Sequence, residues 1–402
     1  MRIVNARVLD LDTDQASPPT TITIGDGVIE SIGPDDAPAA AGDVDAAGGY
    51  VLPGLVNSHE HLSLKGRLLD PDGEQYYDVY RAPAERQLLH CARSLLVSLG
   101  RGITTVRDAG AAWMVNLAAR DAVRAGVLPG PRVYTCGQVL SIPFEGTMVK
   151  TAGMTVDAAG VDGVIETVDG LVKQGVDFIK LKGHRRDFSD PNRNNYFSDE
   201  EIITAGREAH RHGLRFALHA WHCHVVTAAL EAGVVDSIEH GNPLHERPEI
   251  LEKMAADGVI LVPNVVSWAP GPEARWSRYP DMAGIALERV WDTVRLAIEA
   301  GVTLAAGTDL HNDELHTELQ AYVRLGLTPT EALKTATVNG AKLLGLDGEL
   351  GTVAPGKLAD LVVLDRDPRA DLTAIATPVT VVSRGVAHDG AQLRRLVAPA
   401  RP

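Results

Sequence analysis

Val51-Leu52-Pro53-Gly54-Leu55-Val56-Asn57-Ser58-His59-Glu60-His61 joins an apolar run to a cluster of imidazoles, and its reading decides the fold. The run Val51–Asn57 is short, apolar and rich in β-branched and leucine side chains, the pattern of a strand buried on both faces. Side chains alternate along a strand, so His59 and His61 point to one side and Glu60 to the other. Two imidazoles on one side of a buried strand end are a candidate metal-ligating pair.

Outward from this stretch the same grammar repeats: an apolar run, a polar loop, a long amphipathic Ala/Leu/Glu/Arg segment, then the next run. Eight candidate strands follow from it: Val51–Asn57, Thr104–Arg107, Arg132–Cys136, Phe178–Leu181, Arg215–His219, Ser237–Glu239, Ile260–Pro263 and Thr303–Gly307. Helix signals separate them. Ser198-Asp199-Glu200-Glu201 opens a segment that Gly213 closes, and Thr328-Pro329-Thr330-Glu331 opens a later one. Eight βα units predict an α/β fold, a (β/α)8 TIM barrel over 53–349. On either side the grammar is β alone: Arg2–Leu9, Thr21–Ile24 and 27–33 before it, Asp360–Asp365 and Val379–Arg384 after it. Isolated hairpins are marginal in water, so residues 1–52 and 350–402 are expected to pair into one small β-sandwich module. The last dozen residues read as a loose tail.

A chain of 402 residues with 45% hydrophobic and 23% charged residues is long enough for these two cores and is neither disordered nor fibrous in composition. Its net charge of -15 would repel nucleic acid and anionic membranes, so neither is expected as a partner. The 3 cysteines, Cys91, Cys136 and Cys223, form no CxxC and suggest neither a disulfide framework nor a thiolate zinc site. No leader-like segment and no apolar run of about 18 residues is present. A cytoplasmic location is therefore expected.

Further ligand-type side chains stand at the ends of other predicted strands, the face on which barrel active sites are built. They are Lys180, His219, His240 and Asp309. A lysine inside an apolar strand and an aspartate closing the last one call for a shared explanation.

At these positions the sequence resembles the amidohydrolase superfamily. The matching pieces are Gly54–His61, Gly102–Asp108, Val176–Lys180, Ala217–Ala220, Ile238–Gly241, Ala306–Asp309 and Gly356–Leu361. Their order is most similar to the branch of prolidase-like dipeptidases, arginine or lysine carboxypeptidases and imidazolonepropionase-related enzymes. The resemblance implies a binuclear metal-dependent hydrolase. His59, His61 and Asp309 would bind one divalent metal, zinc by donor type, and His219 and His240 a second; Lys180, N6-carboxylated, would bridge them. It also implies cleavage of a C–N bond of amide type by a metal-bridged hydroxide, in an N-acyl amino acid, dipeptide or cyclic amide. Asp309 would be the catalytic acid and base, in a homo-oligomer. Asp108, Trp221, His222 and His311 are expected to touch substrate or to support the ligands. Trp221, Trp268, Trp276 and Tyr279 suggest an apolar wall at the mouth. Two other functions compete: a mononuclear deaminase of an amino-substituted heterocycle, which Lys180 and the lack of a Glu after His219 disfavour, and a non-catalytic scaffold.

Overall fold

The computed structural model describes residues 1–34, 38–64, 82–142, 153–186, 194–220, 222–268, 287–309 and 314–398. The chain starts in a 9-stranded sheet that draws on both of its ends. From the first part come β1 (Arg2–Asp10), β2 (Thr20–Gly25), β3 (Val28–Pro34) and β4 (Tyr50–Pro53). Strand β4 runs parallel to β1 and antiparallel to Leu361–Leu364, beyond which lie Thr380–Ser383 and Val386–Asp389. Alternation places Ile3, Ile22, Ile29, Val51, Leu361 and Val363 in one apolar cluster, and that burial holds the two ends together. Buried Asp360 fastens this sheet to the rest by accepting from Arg132 Nε at 2.6 Å and from the Arg384 amide at 2.7 Å.

The expected strand at Val51–Asn57 is two strands in different sheets. Leu55–Glu60 (β5) leaves β4 at Pro53-Gly54 and joins a parallel sheet with β6 (Ile103–Asp108) and β7 (Arg132–Thr135). Pro53 has no amide to continue a ladder. Any Cβ on Gly54 would lie 2.0 Å from Thr104 Oγ1, so the crossing point requires glycine.

A second parallel sheet contains β8 (Val139–Ser141), β9 (Phe178–Lys182), β10 (Arg215–Ala220), β11 (Ser237–His240) and β12 (Ile260–Val262). The two sheets curl toward each other. On one side the Asp177 amide donates to the Thr135 carbonyl at 2.8 Å. On the other, the expected eighth strand forms no regular ladder but bridges β12 and β5 residue by residue. The Ala305 amide reaches the Leu261 carbonyl at 3.0 Å, and the Ser58 amide reaches the Ala306 carbonyl at 2.8 Å. All of these pairings are parallel, so the C-terminal ends of β5, β6 and β9–β12 lie at one rim. Between them run capped amphipathic helices such as Asp199–Arg211 and Pro329–Thr335, each with the reciprocal Ser/Thr–Glu cap expected from its opening residues.

The expected loose tail is partly a helix, Gly390–Val397. Asp389 caps it by accepting from the Gln392 amide at 2.7 Å. Leu393 and Val397, one turn apart, are buried, and Arg93 Nη2 donates to the Val397 carbonyl at 2.7 Å. Among the described residues no helix is long and apolar enough to cross a membrane.

Candidate active site

His59, His61 and Asp309 meet first. His59 Nε2 lies 3.7 Å and His61 Nε2 3.3 Å from Asp309 Oδ1, and all three side chains are buried. Their potential ligand atoms fall within 4.8 Å of one another. Each imidazole has its other nitrogen engaged, His61 Nδ1 by the Gly110 carbonyl and His59 Nδ1 by Glu239 Oε2, both at 2.6 Å. A carbonyl only accepts, so His61 carries a proton on Nδ1.

Lys180 enters from β9, with Nζ 3.3 Å from His59 Nε2. His240 packs its ring 5.1 Å from that of His59 and 4.6 Å from that of half-buried His219, centroid to centroid. The structure thus brings the six expected ligand residues together at one rim. Strict alternation would turn His240 away from Glu239 and from the interior. Its backbone instead takes a left-handed φ of 68°, and Asp309 does the same at 54°. Such conformations are uncommon for non-glycine residues and occur where surrounding structure over-determines them. Gly307 lets the last segment close, since a Cβ there would lie 2.8 Å from that of His59.

Electrostatics favour neutral imidazoles beside a carboxylate. Burial, aided by Lys180, pushes His59 down to about 4, and burial, aided by His59, pushes His240 down to about 3. Burial also lowers Lys180 and makes its neutral amine more accessible. Burial opposes the charged form of Asp309, but the His61 hydrogen bond and the neighbouring rings outweigh it and hold the carboxyl far below its usual range. Uncharged nitrogen lone pairs facing an ionised carboxylate are the donor set of a divalent cation, so the residues present fit a metal.

Asp108 touches none of these rings. Fully buried, it accepts from the amides of Leu62 at 2.9 Å and Gly110 at 3.0 Å and from Asn116 Nδ2 at 2.6 Å. It therefore fixes the backbone just past His61 and holds the amide of Gly110, the residue whose carbonyl receives His61. His222 precedes the helix Cys223–Glu231, with its ring 6.1 Å from that of His224. Trp221, His311, Trp276 and Tyr279 lie outside the described residues, as does the Trp268 side chain.

Four supporting residues escaped sequence reasoning: Glu239, Arg107, Asn264 and Glu318. Glu239 and Arg107 form a buried pair at 2.8 Å, with the Arg107 guanidinium 4.1 Å from the centre of the Phe178 ring. The available signal was a charged residue inside each of two buried strands. Asn264 Nδ2 lies 3.2 Å from His240 Nδ1. Glu318, on the helix Leu315–Leu325, accepts from the Val265 and Val266 amides at 2.7 Å each and so ties down the loop that carries Asn264. Burial pushes Glu318 up to about 7 against those bonds. Glu318→Ala leaves two amides unsatisfied and is expected to cost about 2–4 kcal/mol in urea unfolding of the metal-free protein. A loss under about 0.5 kcal/mol would show that the loop is held elsewhere.

The Amidohydrolase family model matches residues 50–387, and the chain belongs to that family. It is similar to ochratoxinase of Aspergillus niger, 28% identical over 371 residues, 82% of this chain and 73% of that one. It is also similar to imidazolonepropionase of Symbiobacterium thermophilum, 24% identical over 377 residues, 84% of this chain and 82% of that one. Among solved structures, a prolidase complexed with N-methylphosphonate-L-proline matches with a TM-score of 0.82 at 26% identity, covering 96% of this chain and 99% of that one.

Proposed function

We propose that the protein is a binuclear metal-dependent hydrolase that cleaves a C–N bond of amide type in a small molecule. In this reading 53–349 is a closed (β/α)8 barrel, and 1–52 with 350–402 is a β-sandwich module beside it. His59, His61 and Asp309 would hold one divalent ion, His219 and His240 a second, and Lys180, carboxylated on Nζ, would reach both. Zinc suits the imidazole and carboxylate donors. Bound there, such ions would supply Lewis acidity, lowering the pKa of a water and polarising a carbonyl. The chain's own part is proton transfer: the Asp309 carboxylate accepts the proton of the attacking water and returns it to the leaving nitrogen.

The observation that carries this reading is the convergence of His59, His61 and Asp309 within 4.8 Å, with Lys180 Nζ 3.3 Å from His59. An ammonium has no lone pair and would repel a cation at that distance, whereas a carbamate would present anionic oxygens. The similarity to a prolidase and to imidazolonepropionase supports an amide-type substrate, linear or cyclic. Purified, metal-replete protein should be assayed against N-acyl amino acids, dipeptides ending in Pro, Arg or Lys, and cyclic amides. Release of a carboxylate and an amine from one of these classes is the expected result. Inactivity on all of them, with ammonia released from an amino-substituted heterocycle, would overturn the proposal in favour of a deaminase.

A further inference from the structure

We infer that Glu239, clamped by Arg107, is the positioning residue that fixes His59 with its proton on Nδ1 and its lone pair on Nε2. The inference rests on the reading of His59 as a metal ligand and goes beyond it by naming what sets the ligand's tautomer. Glu239 Oε2 lies 2.6 Å from His59 Nδ1, while Oε1 accepts from Arg107 Nη1 at 2.8 Å and from Ser237 Oγ at 2.8 Å. Arg107 is itself immobilised. Its Nη2 donates to Ser237 Oγ at 3.1 Å, its Nη1 also reaches the Ser58 carbonyl at 3.2 Å, and its guanidinium sits over the Phe178 ring.

With one oxygen locked, the carboxylate cannot rotate, and the other stays on the imidazole. An ionised carboxylate has no proton to give, so His59 Nδ1 must donate and Nε2 must remain bare. The His59 backbone is held too, its carbonyl accepting from the Thr308 and Asp309 amides at 2.9 and 2.8 Å. Ring, tautomer and main chain are thus fixed from three directions, the usual design of a histidine that ligates a metal through its far nitrogen.

An isosteric Gln at 239 would have one oxygen, which the Arg107 cation claims, leaving the amide NH2 against His59 Nδ1. That nitrogen would have to accept, and Nε2 would carry the proton toward Asp309 and Lys180. A packing role makes the opposite forecast, since Gln preserves volume and Asp does not.

The first test needs no variant and no metal. In 15N-labelled, metal-free protein, long-range 15N–1H correlations of the His59 ring, assigned by loss of its signals in His59→Gln, are expected to show the proton on Nδ1; a proton on Nε2 would overturn the inference. The second is Mn2+ titration of the metal-free chain. Glu239→Gln should weaken binding about 10- to 100-fold and move the His59 proton to Nε2, whereas Glu239→Asp should stay within about 5-fold of wild type. Gln binding as well as wild type, or better than Asp, would overturn it. Wild-type protein that binds neither Mn2+ nor Zn2+ would instead refute the metal-centre reading, while the tautomer measured without metal would still decide the role of Glu239.

Discussion

Asp309→Asn is expected to leave the fold in place and to cut kcat about 100- to 10,000-fold, the span a positioned general acid and base contributes. The replacement matches the aspartate in size, and asparagine tolerates the left-handed backbone that Asp309 adopts at φ 54°, so strain adds little. What it removes is the carboxylate proposed to accept the proton, held ionised by the His61 hydrogen bond and the nearby imidazoles against the pull of burial. Steady-state kinetics on whichever amide the wild type hydrolyses, with bound metal quantified in the same samples, separates chemistry from metal loss. An unaltered kcat would remove Asp309 from the proton path.

The second large effect should run in opposite directions for activity and stability. Lys180→Met keeps an unbranched side chain of similar length in a buried position. It removes an amine whose charged form burial disfavours, so the metal-free variant should melt at a higher temperature than wild type. It also removes the proposed carbamate, so bound metal should fall below two ions per chain and kcat should fall by at least about 100-fold. Elemental analysis, a thermal melt and a rate measurement on one preparation decide the matter. Full activity with two bound ions would rule out a bridging role.

How much could be read before coordinates depended on the range of the interaction. Period-two alternation suffices to put His59 and His61 on one side, and local capping chemistry suffices at Ser198 and Thr328. Sheet membership is not local: nothing in Val51–Asn57 records that its first half pairs with Leu361–Leu364 and its second with Ile103–Asp108. The segment at 303–309 read as a strand by composition, yet its hydrogen bonds are shared between two neighbours without a ladder on either. Glu239 and Arg107 make chemical sense only as a pair, and 132 positions separate them. His240 reaches the site through a backbone twist that an alternating pattern would forbid. The terminal helix was hidden because its apolar residues, Leu393 and Val397, count as a face only once the helix Ala84–Gly100 is there to cover them.

Strand β4 is flanked by β1 on one edge and by Leu361–Leu364 on the other. On a ribosome, that second edge stays without its native partner until some 300 further residues have been made. The newborn N-terminal strands must meanwhile wait with open backbone donors and acceptors, a condition that invites pairing with the wrong chain. Sealing this sheet is thus a late event in the life of the polypeptide, and the stage before it is when quality-control machinery has most to guard.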